Sequence, residues 1–142
     1  ASDHLQLFCN LGLLKTKYKT PASNFLDRRE QAHAPQYQFF LGGQYQLNNQ
    51  LAFQLEMEGK DEFYLSSSHG ERSNSYELLN ARLDYSFDNW KLSLWARNLT
   101  NKDVIVRGFG GFGNDPRKFY AIEPYYQYGE PRNFGLTARY NF

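Results

Sequence analysis

The sequence predicts an all-β protein, an antiparallel up-and-down meander of about six strands. Apolar and polar residues alternate strictly in several segments, with the period of two that is typical of a half-exposed strand. Phe, Tyr and Trp make up 18% of the 142 residues, and aromatic residues are enriched in strands. Asn, Ser, Gly and Pro concentrate between these segments, and no segment has a helical period of 3.6.

Six apolar stripes follow one another along the chain. They are Leu5, Leu7, Cys9, Leu11 and Leu13; Tyr37, Phe39, Leu41, Gly43, Tyr45 and Leu47; Leu51, Phe53, Leu55 and Met57; Leu79, Ala81, Leu83, Tyr85 and Phe87; Trp90, Leu92, Leu94 and Ala96; and Phe134, Leu136, Ala138, Tyr140 and Phe142. Because each stripe uses every second residue, we expect all six to lie on the same face of one sheet.

The connections between the stripes are of two kinds. Residues 48–50 and 88–89 form short turns, and the second has the two-residue length that β-hairpins favour. The other three connections, roughly 14–35, 60–75 and 99–131, are long and hold most of the Ser, Asn, His and Pro. We therefore expect a sheet with short turns at one end and long loops at the other.

The opposite face of the sheet is polar. The short turn at 88–89 predicts that Arg82 lies opposite Trp95 and Ser86 opposite Lys91. Alternation alone does not distinguish a soluble sandwich from a membrane barrel. Three features favour the barrel: strands of about ten residues, aromatic residues at both ends of the stripes, and an apolar-face residue, Phe142, at the end of the chain.

The barrel interpretation predicts which way the side chains of each strand face. We expect lipid contact for Leu55, Leu83, Leu94 and Leu136. We expect the lumen or a plug to be contacted by Glu56, Arg82, Asp84 and Arg139.

Composition and motif spacing exclude several functions. A net charge of +1 with scattered basic residues gives no reason to expect nucleic acid as a partner. Cys9 is the only cysteine, and the three histidines lack ligand spacing, so we expect neither a disulfide nor a metal site. The Ser-Ser-Ser-His-Gly run at 66–70 lacks the setting of a serine nucleophile. There is no run of 18 apolar residues and no signal peptide at 1–8. We expect no enzyme activity and no cofactor.

The segment "RGFGGFGND" at 107–115 has glycines at the spacing of a dinucleotide-binding fingerprint: Gly108, Gly110 and Gly113. That fingerprint needs a helix that begins within it, whereas Asn114-Asp115-Pro116 initiates a turn. We interpret the glycines as a flexible loop in which they adopt positive φ.

Two segments near the end of the chain carry a family resemblance. "WARNLTNKDV" at 95–104 and "GEPRNFGLTARYNF" at 129–142 resemble the end of a TonB-dependent outer-membrane receptor, with Val104 where tyrosine is commoner. "LFCNLGLLKTKYK" and "HAPQYQFFLGGQYQL" resemble earlier strands of the same barrels. The resemblance implies that residues 1–142 are the C-terminal segment of a roughly 22-stranded transmembrane β-barrel. The plug and the energy-coupling box of the family are absent from this chain.

The resemblance also implies a function. Such a receptor actively imports a scarce nutrient, such as a ferric siderophore, cobalamin or a glycan, across the outer membrane of a Gram-negative bacterium. The implied partners are the remainder of the barrel and the plug, the TonB complex through the absent N-terminal part, the outer-membrane assembly machinery, membrane lipid and the small-molecule nutrient. An outer-membrane porin segment and a soluble aromatic-rich β-sandwich binding module are the alternatives.

Two sets of candidate functional residues follow. Extracellular-loop contacts to ligand are predicted for Arg107, Phe109, Phe112, Arg117, Tyr120, Tyr125 and Tyr126, because arginine and aromatic side chains on loops suit anionic or ring-bearing ligands. The resemblance assigns an assembly signal to Phe134, Leu136, Ala138, Tyr140 and Phe142, although its glycine stands at Gly135 rather than nearer the end.

Overall fold

The computed structural model describes residues 4–109, 115–121 and 123–142. Within these ranges the chain forms eight strands: β1 (Leu5–Leu13), β2 (Tyr37–Gln46), β3 (Leu51–Lys60), β4 (Tyr76–Phe87), β5 (Trp90–Arg97), β6 (Ile105–Phe109), β7 (Tyr125–Tyr128) and β8 (Asn133–Tyr140). A 3-10 turn at Pro116–Lys118 lies between β6 and β7. No helix in the described ranges is long and apolar enough to cross a membrane.

Six of these strands form one antiparallel sheet in the order β1-β2-β3-β4-β5-β8. Every pair of neighbours in this sheet is antiparallel. The predicted all-β meander of about six strands is therefore confirmed. We call this sheet the wall.

The wall carries all six apolar stripes on one face, as their alternation predicts. One row of paired residues crosses all six strands: Leu5, Tyr45, Phe53, Leu83, Leu94 and Leu136. On the other face, Arg82 pairs with Trp95 and Ser86 with Lys91, as the short turn predicts. The residues expected to contact lipid and those expected to contact the lumen or a plug thus lie on opposite faces of the wall.

The two short turns explain this precise pairing. Asn48 accepts hydrogen bonds at its side-chain oxygen from the N–H groups of Gln50 and Leu51, each at 2.9 Å. Asp88 has a φ of 47°, the left-handed conformation that a tight hairpin requires and that Asp tolerates. Local side-chain chemistry therefore sets the register of β2 with β3 and of β4 with β5.

Gly135 accommodates an aromatic ring of the neighbouring strand. Its Cα is paired with that of Trp95, and a Cβ at position 135 would lie 2.0 Å from Trp95 Cζ2. Gly42 has the same role beneath Phe8, whose Cε2 would lie 2.0 Å from an added Cβ. The glycine of the terminal signature stands at 135 because the Trp95 ring covers that position.

The connection at 99–131, predicted to be a loop, contains a β-hairpin instead. Within it, β6 pairs with β7 in an antiparallel ladder separate from the wall. The prediction was wrong because β6 has five residues and β7 has four, too few for alternation to be visible. β7 also has the continuous sequence Tyr-Tyr-Gln-Tyr, with no apolar-polar period.

The apolar core lies outside the wall. Among the described residues, the buried apolar ones all belong to the long connections: Ala34, Phe63, Leu65 and Val104. Leu94 and Leu136 of the wall, by contrast, are 56% and 71% exposed.

Candidate functional site: the loop cap

The three long connections emerge at the same end of the wall, opposite the two short turns. We call the residues 14–36, 61–75 and 98–132, as far as they are described, the loop cap. Its centre is Leu65, which is 1% exposed, with Phe63 at 7% and Val104 at 6%. The loop cap is therefore a packed unit rather than three separate loops.

A stack of charged and aromatic groups joins the first two connections. Two guanidinium groups form cation–π contacts with the Tyr64 ring. That of Arg29 lies 4.0 Å from the ring centre, and that of Arg72 lies 4.4 Å from it. Arg72 also forms ion pairs with Glu30 at 2.9 Å and Glu62 at 3.1 Å. These contacts fix residues 27–31 against residues 62–72.

Backbone pairing strengthens the same junction. His33 N–H donates to the Tyr64 carbonyl at 2.9 Å, and Ala32 and Tyr64 form an isolated parallel bridge. Arg29 Nη2 donates to the carbonyl of Ser66. The sequence contained no local signal for this junction, because its members come from different connections and are not linked by any period.

The β6–β7 hairpin docks on the second connection. Gly108 is buried, and a Cβ there would lie 2.9 Å from Cβ and Cδ1 of Leu65. Gly108 does not have a positive φ, so its interpretation as a flexible-loop glycine was wrong. It allows β6 to approach Leu65 closely. No nucleotide-binding arrangement of strand, glycine turn and α-helix is formed in the described part of this segment.

A tyrosine–carboxylate hydrogen bond completes the docking. Tyr126 Oη donates to Glu71 Oε2 at 3.0 Å. Loss of solvent and the Glu71 carboxylate both raise the pKa of the Tyr126 phenol above its ordinary value. Tyr126 therefore keeps its proton at neutral pH and remains a donor to Glu71.

Asn98 closes the base of the third connection. The residue is 3% exposed. Its Nδ2 donates to the carbonyls of Lys102 at 2.9 Å and Glu130 at 3.1 Å, and its Oδ1 accepts from Lys102 N–H at 2.9 Å. Its own N–H donates to Asn80 Oδ1 at 3.0 Å. Asn98 thus ties the end of β5 to the segment that leads into β8.

The two motifs that carry the family resemblance meet at this point. Asn101 Oδ1 accepts from Arg132 N–H at 3.1 Å, so the Asn-Leu-Thr-Asn-Lys segment and the Glu-Pro-Arg-Asn segment bind each other. Lys102 Nζ forms an ion pair with Glu77 at 2.8 Å. The motif therefore has a structural explanation: it fixes both ends of a long connection at the rim of the wall.

The hairpin lies over the polar face of the wall and leaves a cleft of about 520 Å³. Polar-face residues of β3 and β4 form one side, and residues that flank or belong to β6 and β7 form the other. The lining includes Glu58, Lys60, Tyr76, Val106 and Glu130. This cleft opens between the loop cap and the polar face of the wall.

The structure brings some of the predicted ligand contacts together. The guanidinium of Arg107 lies 4.7 Å from the centre of the Phe109 ring, and Phe109 pairs across the hairpin with Tyr125. Tyr126, the next residue of β7, pairs with Gly108. Four of the predicted contacts, Arg107, Phe109, Tyr125 and Tyr126, therefore share one small hairpin.

The other three predicted contacts lie between β6 and β7. Arg117 pairs with Asp115 at 2.9 Å, and this pairing holds the pKa of the Asp115 carboxyl below its usual range. Tyr120 is 68% exposed. Phe112 lies outside the described residues. Phe119, which follows the 3-10 turn, is 94% exposed and has a φ of 54°.

The residues of the predicted assembly signal lie along β8 and its end. Phe134, Leu136, Ala138 and Tyr140 pair with the apolar face of β5. Tyr140 packs on Trp90 with ring centres 4.9 Å apart, and Phe142 contacts Tyr140 edge-on at 5.1 Å. Phe142 therefore extends an aromatic cluster at the short-turn end. No group of three or more His, Cys, Asp or Glu residues in the described ranges is placed to hold a metal ion.

Comparison with known proteins shows which fold this architecture resembles. No protein-family model matches the chain. The ferric-catecholate import receptor Fiu of E. coli K12, in its closed form, superposes with a TM-score of 0.69 at 20% sequence identity over 99% of the chain. The fold is that of a receptor barrel segment. The resemblance to the barrel of a TonB-dependent receptor is thus confirmed at the level of fold, and the chain spans 19% of the length of that receptor.

Proposed function

We propose that the chain is the C-terminal barrel segment, residues 1–142, of an outer-membrane receptor that actively imports a scarce nutrient. The observation that carries this proposal is the division of the wall into two faces. One face is apolar and exposed across all six strands, and the other is polar and lies beneath the loop cap.

A continuous exposed apolar face of this extent belongs against an apolar environment. Leu7, Leu94 and Leu136 are 73%, 56% and 71% exposed, and they lie on three different strands of that face. No second sheet packs on it in the described part of the chain, so a β-sandwich is disfavoured. Strands β2 and β3 have the ten residues that a tilted strand needs to cross a bilayer. Membrane lipid is therefore the proposed partner of this face.

The unpaired edges of β1 and β8 support the proposal that further strands pair with this sheet. Each of these strands has a neighbour on one side only within the sheet, and unpaired strand edges are not stable in lipid. We propose that the remainder of the barrel pairs with them. A plug in the lumen, the TonB complex and the outer-membrane assembly machinery of a Gram-negative bacterium complete the proposed set.

The loop cap is the proposed ligand side. Its hairpin carries Arg107, Phe109, Tyr125 and Tyr126, and it borders the cleft that leads to the polar face. Fiu imports ferric-catecholate. For this chain we propose a small nutrient of the same general kind, a siderophore complex, cobalamin or a glycan, recognised by ring stacking and arginine contacts.

A triple substitution in the full-length protein tests this function. Replacing Arg107, Phe109 and Phe112 with alanine removes one arginine and two aromatic side chains from β6 and the residues between β6 and β7. We expect nutrient binding and uptake to fall by at least tenfold, while the amount of protein assembled in the outer membrane stays unchanged. The control is Arg28→Ala, which removes a guanidinium whose side chain is 89% exposed in the first connection. Uptake by the triple variant equal to that of the parent would contradict the assignment of the ligand side.

The end of β8 allows a test of assembly. Deleting Phe142 removes one ring of the aromatic cluster formed with Tyr140 and Trp90. If Phe142 is read by the assembly machinery, the variant should accumulate several-fold less in the outer membrane but refold in detergent almost as the parent does. Equal losses in both assays would show that Phe142 is an ordinary packing residue.

A further inference from the structure

The apolar stripe of β1 is continued by lysines where the first connection leaves the wall. The odd-numbered residues of β1 form the stripe, and Leu11 and Leu13 at its end are 64% and 76% exposed. The next three odd-numbered residues are exposed lysines: Lys15, Lys17 and Lys19. We call these three residues the lysine row.

Backbone hydrogen bonds keep this part of the connection extended. Leu14 N–H donates to the Gln36 carbonyl at 2.9 Å, which continues the pairing of β1 with β2 by one residue. Further along, Tyr18 N–H donates to the Arg29 carbonyl at 2.8 Å, and the Tyr18 carbonyl accepts from Arg28 N–H at 3.1 Å. Residues 14–20 therefore run on from β1 as an extended segment.

The even-numbered residues of this segment face the loop cap. Thr16, Tyr18 and Thr20 are half-buried, each next to an exposed lysine. Thr16 Oγ1 accepts a hydrogen bond from Gln31 N–H at 3.2 Å. Because successive side chains of an extended chain point to opposite sides, the lysine row lies on the same side as the apolar stripe of β1.

The described part of the chain does not neutralise the lysine row. None of its carboxylates lies within ion-pair distance of Lys15, Lys17 or Lys19. Asp27, on the facing segment, is instead engaged by Arg28 at 3.7 Å and by Thr20 N–H at 3.3 Å. Three positive charges therefore follow one another along about 13 Å of extended chain.

The lysine row begins at the height of a lipid headgroup. Leu13 is paired with Tyr37, and aromatic residues of this kind mark the boundary of the hydrocarbon layer. An extended chain rises about 3.3 Å per residue, so Lys15 stands about 7 Å beyond Leu13. The headgroup layer is about 5–8 Å thick on each side of a bilayer. Lysine side chains are long enough to reach back into that layer from the positions beyond it.

The opposite end of the wall lacks such charges. The turns at 48–50 and 88–89 hold asparagine, glutamine and aspartate and no lysine or arginine. The two ends of the apolar face therefore differ in charge, so the two leaflets of a bilayer would meet different surfaces.

We propose that the lysine row binds the phosphate groups of anionic lipid headgroups in the leaflet on the loop-cap side. Lysine binds phosphate as a point charge, and the row offers several such charges beside the apolar face. A zwitterionic headgroup supplies its phosphate with a cation of its own, so the row favours lipids of net negative charge. This inference rests on the proposed function, because it places the apolar face in a bilayer.

Lipid titration of the full-length protein in neutral detergent tests the inference. The probes are dioctanoyl phosphatidate and dioctanoyl phosphatidylcholine, and bound lipid is counted by native mass spectrometry. We expect the parent to bind the phosphatidate roughly tenfold more tightly. In Lys15→Gln/Lys17→Gln/Lys19→Gln this preference should disappear, because each lysine near an anionic surface contributes about fivefold in affinity. A parent without the preference, or a triple variant that keeps it, overturns the inference.

Two controls separate the lysine row from net charge. Lys15→Arg/Lys17→Arg/Lys19→Arg keeps the charges and should keep the preference, since arginine also binds phosphate. Lys91→Gln/Lys118→Gln removes two lysines elsewhere and should bind phosphatidate as the parent does. A loss in this variant equal to that of the triple glutamine variant would show a response to net charge and overturn the inference. Circular dichroism checks that every variant has the parental strand content.

Two further measurements identify the source of any failure. Leu94→benzoylphenylalanine should label lipid acyl chains in nanodiscs of either headgroup, and no label would contradict the proposed function itself. Label at 94 together with an unchanged headgroup preference in the triple glutamine variant overturns only the inference about the lysine row. Displacement of phosphatidate by an equal concentration of inorganic phosphate would assign the row to a free anion and also overturn it.

Discussion

The wall and the loop cap differ in whether they bury large apolar side chains. Among the described residues of the six wall strands, the buried ones are Gly59 and Ser93, a glycine and a polar residue. In the loop cap, Leu65 and Phe63 are buried at 1% and 7% exposure. The loop cap therefore has an apolar core of its own, whereas the apolar face of the wall stays exposed among the described residues.

Charged groups show the same contrast. In the cap, Arg29 and Arg72 both lie over the Tyr64 ring and are joined to acceptors from two connections. On the wall, Arg82 and Asp84 pair with near neighbours of the same face. These two arginines of the cap join segments that are distant in the sequence, while the pair on the wall stays in register with its strands.

The largest expected effect comes from comparing a leucine-to-alanine substitution in the loop cap with the same substitution in the wall. Leu65→Ala should destabilise the loop cap by about 2–5 kcal/mol, because it leaves a cavity at a fully buried position. Hydrogen exchange in detergent should then rise in residues 61–75 and 105–109 but not in β2 or β3. Leu136→Ala, at a 71% exposed position of the wall, should change exchange little. Equal effects of the two variants would refute the distinction between the regions.

The next effect concerns the environment of the wall. Leu94→Arg places a charge on the exposed apolar face and should cost about 2–4 kcal/mol near the middle of a bilayer. The measurement is the urea midpoint of the full-length protein refolded in lipid vesicles. Asn10→Arg, on the polar face of β1, is the control and should lie within about 0.5 kcal/mol of the parent. A larger loss for Asn10→Arg than for Leu94→Arg would reverse the assignment of the faces.

The smallest effect lies at the junction between the regions. Asn98→Ala removes three side-chain hydrogen bonds at a buried position and should loosen the third connection by about 1–3 kcal/mol. Protease cleavage between β5 and β8 should accelerate while the wall stays folded. Asn98 has a φ of 49°, so Asn98→Gly separates the hydrogen bonds from backbone strain. If Asn98→Gly behaves like the parent, the hydrogen bonds contribute little.

The strands of the wall were predictable from the sequence because their determinants are local. A period of two identifies each face, and the short turns at 48–50 and 88–89 set the pairing of the strands next to them. Even the Arg82–Trp95 pairing followed from counting outward from a two-residue turn.

The candidate site was predictable only in part. Arg107, Phe109, Tyr125 and Tyr126 were identified by residue type, and the structure places them on one hairpin. Their strands were missed because each is too short to show a period. Gly108 was misinterpreted, since the reason for a glycine there is the side chain of Leu65 in another connection.

By itself, the sequence determined most of the wall: which residues form its strands, which face is apolar, and how the strands joined by the two short turns align. Tertiary structure decided the loop cap. Tyr126 and Glu71, 55 residues apart, share a hydrogen bond, and Arg29 reaches the carbonyl of Ser66 across 37 residues. Alternation and turn chemistry act over a few residues and are visible in the chain. Contacts between irregular connections depend on where the strands place their ends, so they cannot be predicted from any one connection.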